Sequence, residues 1–212
     1  MPAADRPLDD EEWRGFVAAQ GFGHLVANPP GGGLPVVAPT QFVLDGDIVI
    51  AHVAAANPLV DALVHDPRAL LAVAGDWAFV PSSWKAIGTE DPRRGVPTTY
   101  YAAVQLAGRA ELVADAAELA ALLARQLDAL QPEIGIDDPL EVHRAKLASI
   151  RGVRLHVDEV VAKFKFGGNV DEAHRRAVAD RLDARGGPGD RAAAAHARRR
   201  TPDAPGPSAF TR

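Results

Sequence analysis

Cysteine is absent from the 212 residues, which removes disulfides, thiolate nucleophiles and zinc–thiolate sites together. No apolar run approaches the ~20 residues that a membrane-spanning helix needs. The opening stretch, MPAADRPLDDEEW, is acidic rather than basic-then-apolar, so it does not read as a signal peptide and a cytoplasmic protein is expected. Also missing are G-x-G-x-x-G, the P-loop and G-x-S-x-G, so dinucleotide, nucleoside triphosphate and hydrolase readings lose their usual anchors. The NPPGGG cluster at 28–33 has neither the lysine nor the strand-to-helix setting of a phosphate loop. Seven histidines are scattered without H-x-H or H-E-x-x-H pairing. There is no internal repeat, no alternating βαβ rhythm and no helix-turn-helix pair.

What is present fits a globular protein with a full core: 47% apolar and 24% charged residues. The net charge of −5 is uneven. From Arg185 onward six arginines face two aspartates, leaving that end about +4 and the rest about −9. An acidic body argues against a broad nucleic-acid surface. The expected organisation is a folded domain over 1–185 and a basic, Pro/Gly/Ala/Arg-rich flexible tail over 186–212, its Ala- and Arg-rich part a frayed helix at most and TPDAPGPSAFTR disordered, with DNA contact an alternative role for the tail.

Asp9 and Asp10 precede a short amphipathic helix in which Trp13, Phe16 and Val17 share a face. FGHLVAN, LPVVAPTQFVL and IVIAHV read as three strands of an antiparallel meander, the last two joined by Asp45-Gly46-Asp47. Asn57-Pro58 is a strong helix start, with Leu59, Leu63 and Val64 on its buried face. ALLAVAG (69–75) reads as a strand buried on both faces, followed by DWAFV (76–80) after a turn or bulge. Asp115 caps a helix whose leucines, from Leu119 to Leu130, form a clear stripe. Asp138-Pro139 opens a shorter helix. Gly152 begins a long alternating strand running to AKFKFGGN, and Asn169 with Glu172 is expected to cap a last helix ending near Arg185. Six or seven antiparallel strands with helices in their connections make an α+β, mainly antiparallel β, barrel-like domain.

The chain is organised around Phe79–Gly108. A polar loop there joins two strand-like runs and carries Trp84, Lys85, Arg93 and Arg94 before Thr98, Thr99, Tyr100 and Tyr101. A loop of that length is more often functional than not, and aromatics, hydroxyls and cations together suit a flat ligand with an anionic edge. Lys163 and Lys165 share a strand face about 7 Å apart, so an anion or acidic side chain is expected between them. Among the histidines, His52 at a strand end is the first candidate for a macrocycle's axial ligand and His65 the second.

Four ordered blocks, HVAAANP (52–58), WAFVPSSW (77–84), VPTTYYAAVQLAG (96–108) and VAKFKFGGN (161–169), resemble the PaiB-like family of FMN-binding negative transcriptional regulators over roughly residues 10–185. The resemblance implies an FMN-binding split barrel: six antiparallel strands in Greek-key order, a homodimer, and a flavin at the subunit interface. Carried over, the pattern makes His52, Asn57, Trp84, Lys85, Thr98, Thr99, Tyr100, Tyr101, Lys163, Lys165 and Asn169 the candidate cofactor contacts. Thr99 and Tyr100 stand where Trp and Asn are usual, and APTQF (38–42) where T-H-L-P is usual. A related branch, the haem-dependent piperazate synthases, implies haem b instead, with His52 or His65 on iron, the lysines on propionates, and N–N bond formation in N5-hydroxyornithine. A small flavin oxidoreductase is the third reading.

Overall fold

The computed structural model describes residues 1–86, 90–134, 141 and 145–200. Helix α1 (Asp10–Gln20) begins where the acidic run predicts, with the Glu12 N–H donating to Asp9 Oδ1 at 2.8 Å. Strands β1 (Phe22–Ala27), β2 (Val36–Asp45) and β3 (Ile48–Ala54) form the expected meander, with Phe22 opposite Gln41 and Asp45 opposite Ile48. Helix α2 (Pro58–His65) follows, its first turn fixed by the Leu59 N–H donating to Asn57 Oδ1 at 2.9 Å.

Strand β4 (Arg68–Val80) is one continuous element rather than two. Its interruption is Asp76, the one described non-glycine residue with positive φ (49°), a conformation that costs an L-residue energy and that surrounding contacts must hold. The expectation that 69–75 is buried on both faces is not met. Ala69, Leu71 and Val73 are buried, whereas Leu70 and Ala72 are half-buried and Ala74 is exposed, the alternation of a barrel wall.

After a one-turn helix α3 (Ser82–Lys85), strands β5 (Thr98–Val113) and β6 (Ile150–Lys165) flank helix α4 (Ala116–Leu130). The strands close into a barrel in the order β1-β2-β3-β6-β5-β4, with β4 pairing back onto β1. This is the six-stranded antiparallel barrel with helical connections expected from the sequence. The short helix expected after Asp138-Pro139 falls largely outside the described residues.

Helix α5 (Glu172–Arg185) starts two residues later than expected. Its cap is Asp171, whose Oδ1 accepts the His174 N–H at 2.8 Å, while Asn169 lies exposed in the preceding turn. Gly186 ends it in the left-handed region, where a residue without Cβ is favoured. Within the stretch expected as a tail, Asp190–Arg199 forms helix α6, with Ala193, Ala194, His196 and Ala197 buried. Residues 201–212 lie outside the described residues.

Two units are recognisable by their contacts. One comprises 1–16, 74–104 and 162–212, and the other 17–73 and 105–161. The second unit is built on α4. Leu119, Leu122 and Leu123 are buried with Ile50, Val113 and Leu147, each leucine contributing roughly 2 kcal/mol of burial. The first unit centres on an aromatic group: Phe16 meets Phe164 edge-on at 5.6 Å, Tyr100 meets Phe166 edge-on at 6.0 Å, and the His196 ring stacks on Phe166 at 4.4 Å. No described helix is long and apolar enough to cross a membrane.

Candidate functional site

The sequence-derived candidates fall into two groups. His52, Asn57 and His65 belong to the second unit; Trp84, Lys85, Thr98 to Tyr101, Lys163, Lys165 and Asn169 belong to the first.

His52 sits half-buried on β3, its carbonyl accepting from Thr40 Oγ1 at 3.0 Å. Its Nδ1 lies 2.8 Å from Oε1 of Gln126, a residue only 2% exposed on the inner face of α4. The other end of that amide, Nε2, donates to Ile50 O at 3.3 Å, which fixes the amide's orientation. Gln126 therefore presents its oxygen to His52, so Nδ1 carries the proton and Nε2 the lone pair. Such a partner sets the tautomer of a metal-binding imidazole. His65 is exposed at the last turn of α2. The Asn57 carbonyl oxygen is used in capping α2. Gln126 was not singled out by sequence reasoning, and its one signal is a polar residue on the buried face of a leucine-rich helix.

In the first unit, alternation along β5 sends Tyr100 and Tyr101 to opposite faces. Tyr100 is 1% exposed, and burial pushes its phenol up to about 12, against the nearby charge of Arg175. Its hydroxyl has no hydrogen-bond partner among the described residues and points at Gly167, which has φ +76°. Tyr100→Phe is expected to leave urea-unfolding stability unchanged or to raise it by about 1 kcal/mol, because the removed hydroxyl gains nothing from the chain. A clear loss of stability would reveal a partner for that oxygen.

Tyr101 faces the other way, with the Lys163 ammonium 5.6 Å from its ring centroid. A hydrogen bond to the Tyr101 phenol holds Lys163 above the usual lysine range, and Asp5 Oδ2 lies 3.8 Å from its Nζ. Lys165, two residues on, has a different neighbour. Burial, and after it the Lys165 charge, hold Lys85 below the usual lysine range. The two lysines on one strand face therefore meet different surroundings. Lys163 is engaged by Asp5 and Tyr101, whereas Lys165 is set against another cation. Trp84, at the same turn as Lys85, stacks under the Arg185 guanidinium at 4.9 Å. Thr98 and Thr99 open β5 half-buried.

The first unit also contains a cleft of about 550 Å³ lined by Phe16, Glu12, Asp76, His196 and Arg199 among others. His196 Nε2 is 2.9 Å from Asp76 Oδ2, and its Nδ1 is 3.6 Å from Glu12 Oε1. Burial opposes a charge on this ring, but hydrogen bonds with Asp76 and Glu12 outweigh it and lift His196 above the usual histidine range. Arg199 Nη2 also approaches Nδ1, at 2.6 Å. That contact suits only the neutral ring, so protonation requires the half-exposed Arg199 to turn away. Among the described residues no group of three or more His, Asp or Glu side chains is placed to hold a metal ion.

A closed six-stranded antiparallel barrel with helices in its connections, bearing cations and aromatics at one end of β5 and β6, is a split-barrel protein of the flavin-binding class. Residues 1–159 match the family described as "Putative FMN-binding domain", and the chain belongs to that family. Among solved structures, it is similar to the flavocytochrome Anf3 from Azotobacter vinelandii, at 25% identity over 76% of this chain and 69% of that one, with a TM-score of 0.58. The FAD and haem binding protein from Mycobacterium smegmatis shares the fold, at 18% identity over 77% and 74% and a TM-score of 0.59. So does the conserved hypothetical protein Rv2991 from Mycobacterium tuberculosis, at 15% identity over 81% and 94% and a TM-score of 0.57. No curated protein matches the sequence.

Proposed function

We propose that this protein is a PaiB-like split-barrel homodimer that binds FMN, or a related planar prosthetic group, at its subunit interface and acts as a negative transcriptional regulator. Membership of the FMN-binding family carries the reading. The residues present fit such a group: an orphaned, fully buried tyrosine hydroxyl, two lysines set against each other, and an aromatic ring on the adjoining turn. FMN supplies redox chemistry when bound. In this reading Lys85 and Lys165 offer charge to its phosphate, Trp84 an aromatic face, Thr98 and Thr99 hydroxyl donors, and Asn169 an exposed amide. Trp77 and Phe79, 59% and 50% exposed on the same side of β4, supply an apolar surface for the second copy to cover.

The His52–Gln126 contact favours a second reading, in which haem b replaces the flavin and the protein forms the N–N bond of L-piperazic acid from N5-hydroxyornithine. Haem iron supplies a Lewis acid towards an N–O bond. Here His52 would offer Nε2 to the iron, and Gln126 would keep the ring in the tautomer that leaves that nitrogen free. The relationship to a protein named as a flavocytochrome, at 25% identity, is in keeping with either prosthetic group.

An absorption spectrum of the purified protein, alone and after FMN and then haemin, separates the readings. Retained flavin bands at one FMN per subunit support the first. A Soret band that collapses in His52→Ala, with no flavin retained, replaces it with the second. Binding of neither ligand overturns both.

A further inference from the structure

The cleft of the first unit, walled by α1, β4 and α6, holds none of the residues assigned above to a flavin or a haem. Two of its polar groups are deeply enclosed: the Glu12 and His196 side chains are 8% and 7% exposed. The ring is fixed from one side. A carboxylate only accepts, so the His196 Nε2, 2.9 Å from Asp76 Oδ2, carries a proton. Asp76 holds that position at φ 49°, backbone strain of the kind that collects where a side chain must be aimed. In the neutral ring Nδ1 then offers a lone pair, 3.6 Å from Glu12 Oε1. That oxygen accepts from Arg200 and has a second lone pair left. Nδ1 and Oε1 are thus two neighbouring acceptors within reach of one donor fork.

The chain itself shows what such a pair accepts. Arg199 Nη2 lies 2.6 Å from Nδ1 and 3.9 Å from Oε1, yet its side chain is 54% exposed. A guanidinium on a half-exposed arm is a loosely held occupant. Room remains beside it in the cleft of about 550 Å³. A Cβ added at Gly15 on α1 would meet no atom within 4 Å, and the α6 wall is made of the short Ala192 and Ala195. Phe16 and Leu8 supply apolar lining, and Asp9 and Glu11 add negative charge.

We propose that this cleft binds a small alkylguanidinium cation, and that Arg199 is the built-in occupant which the ligand displaces. The headgroup donates to His196 Nδ1 and Glu12 Oε1, and the alkyl body packs on Phe16 and Leu8. A planar fork of N–H donors spans two acceptors better than a compact ammonium does, and an anion is repelled. The charged groups around His196 are Glu12 from α1, Asp76 from β4, Arg199 at the end of α6 and Arg200 after it. From β6 it meets only the uncharged rings of Phe164 and Phe166. Burial opposes a charge on the ring, hydrogen bonds with Asp76 and Glu12 outweigh it, and the Arg199 charge opposes it again. A bound cation acts as Arg199 does. It needs the Nδ1 lone pair, so it competes with protonation and binds more tightly as pH rises through the folded His196 value.

The test titrates the full chain with n-butylguanidinium and follows the His196 ring by NMR at constant ionic strength. Affinity is expected to rise about tenfold or more between about pH 6 and 9, and saturating ligand to lower the His196 pKa by about one unit. The uncharged isostere n-butylurea is expected not to bind. Arg199→Ala removes the competing guanidinium and is expected to tighten binding about tenfold, as for a site open about one-tenth of the time. Gly15→Leu fills the cleft from α1 with a better helix former. It is expected to weaken binding at least tenfold while leaving the melting temperature unchanged or higher, so loss of the site is told apart from loss of the fold. No saturable binding, equal affinity for n-butylurea, affinity independent of pH, no tightening in Arg199→Ala, or full affinity in Gly15→Leu overturns the proposal. The measurement needs neither flavin nor haem, so it stands or fails apart from the proposed cofactor.

Discussion

Glu12→Ala is expected to destabilise the protein by about 3–5 kcal/mol, the cost of leaving a buried charge without its partner. Arg200 is 2% exposed, and its Nη2 donates to Glu12 Oε1 at 2.5 Å. The second Glu12 oxygen accepts the Leu8 N–H at 2.7 Å. Removing the carboxylate therefore strands a guanidinium, an amide and one side of His196 together. Burial works to raise the Glu12 pKa, but hydrogen bonds with His196, Leu8 and Arg200 outweigh it and hold the group below its ordinary 4.5. This contribution is present above that value and is lost as pH falls through the lower folded value. His196 has the opposite sign. Its pKa is raised above 6.5, so its contribution is complete below 6.5 and fades as pH rises through the folded value. Wild-type stability is expected to peak in mildly acidic solution, between those two ordinary values, and the Glu12→Ala profile to be flatter. Urea unfolding from pH 4 to 9, in roughly one-unit steps, checks both the loss and the shape. A wild-type midpoint that rises steadily to pH 9 would remove the His196 part of the account.

Gly108→Ala is the second large effect. In β5 this residue lies against the backbone of β6: an added Cβ would overlap His156 O, approach His156 C to 2.8 Å and come within 3.1 Å of the Val157 Cα. No rotatable side chain is available to move aside. The strands must separate locally, at the cost of ladder hydrogen bonds and overpacking, so about 3 kcal/mol or more is expected. Gly15→Ala is the matched control. It lies in α1 with nothing within 4 Å of the new Cβ, and is expected to gain about 0.5–1 kcal/mol. Thermal unfolding of the two variants side by side settles whether close backbone approach, rather than glycine content, is what matters. Similar melting temperatures would refute it.

The barrel was legible because its strands alternate and its turns carry Gly, Pro and Asp at the right places. Asn57-Pro58, Asp115 and Gly186 mark helix ends through local chemistry that needs no distant partner. What could not be read depends on residues far apart in the chain. Helix α6 looks like a tail because its buried face is built from Ala193, Ala194 and Ala197, which give almost no hydrophobic contrast. His196 acquires its role from Glu12 and Asp76, and no spacing rule connects those positions. Gln126 hid inside a leucine stripe, and the contrast between Lys163 and Lys165 comes from Asp5 and Lys85 rather than from their own strand.

The contacts that Arg200 makes with Arg6 O and Glu12 join positions 194 and 188 residues apart. A chain emerging from the ribosome N-terminus first holds α1 ready long before its partner exists. Until residue 200 has cleared the exit tunnel, Glu12 has no guanidinium to meet, and the aromatic group lacks the His196 ring that stacks on Phe166. The first unit is therefore completed only once residue 200 is free to dock, and its closing step bears the entropy of a loop of 188 residues. Removal of α6 and Arg200 should be felt at α1, 188 residues earlier in the sequence.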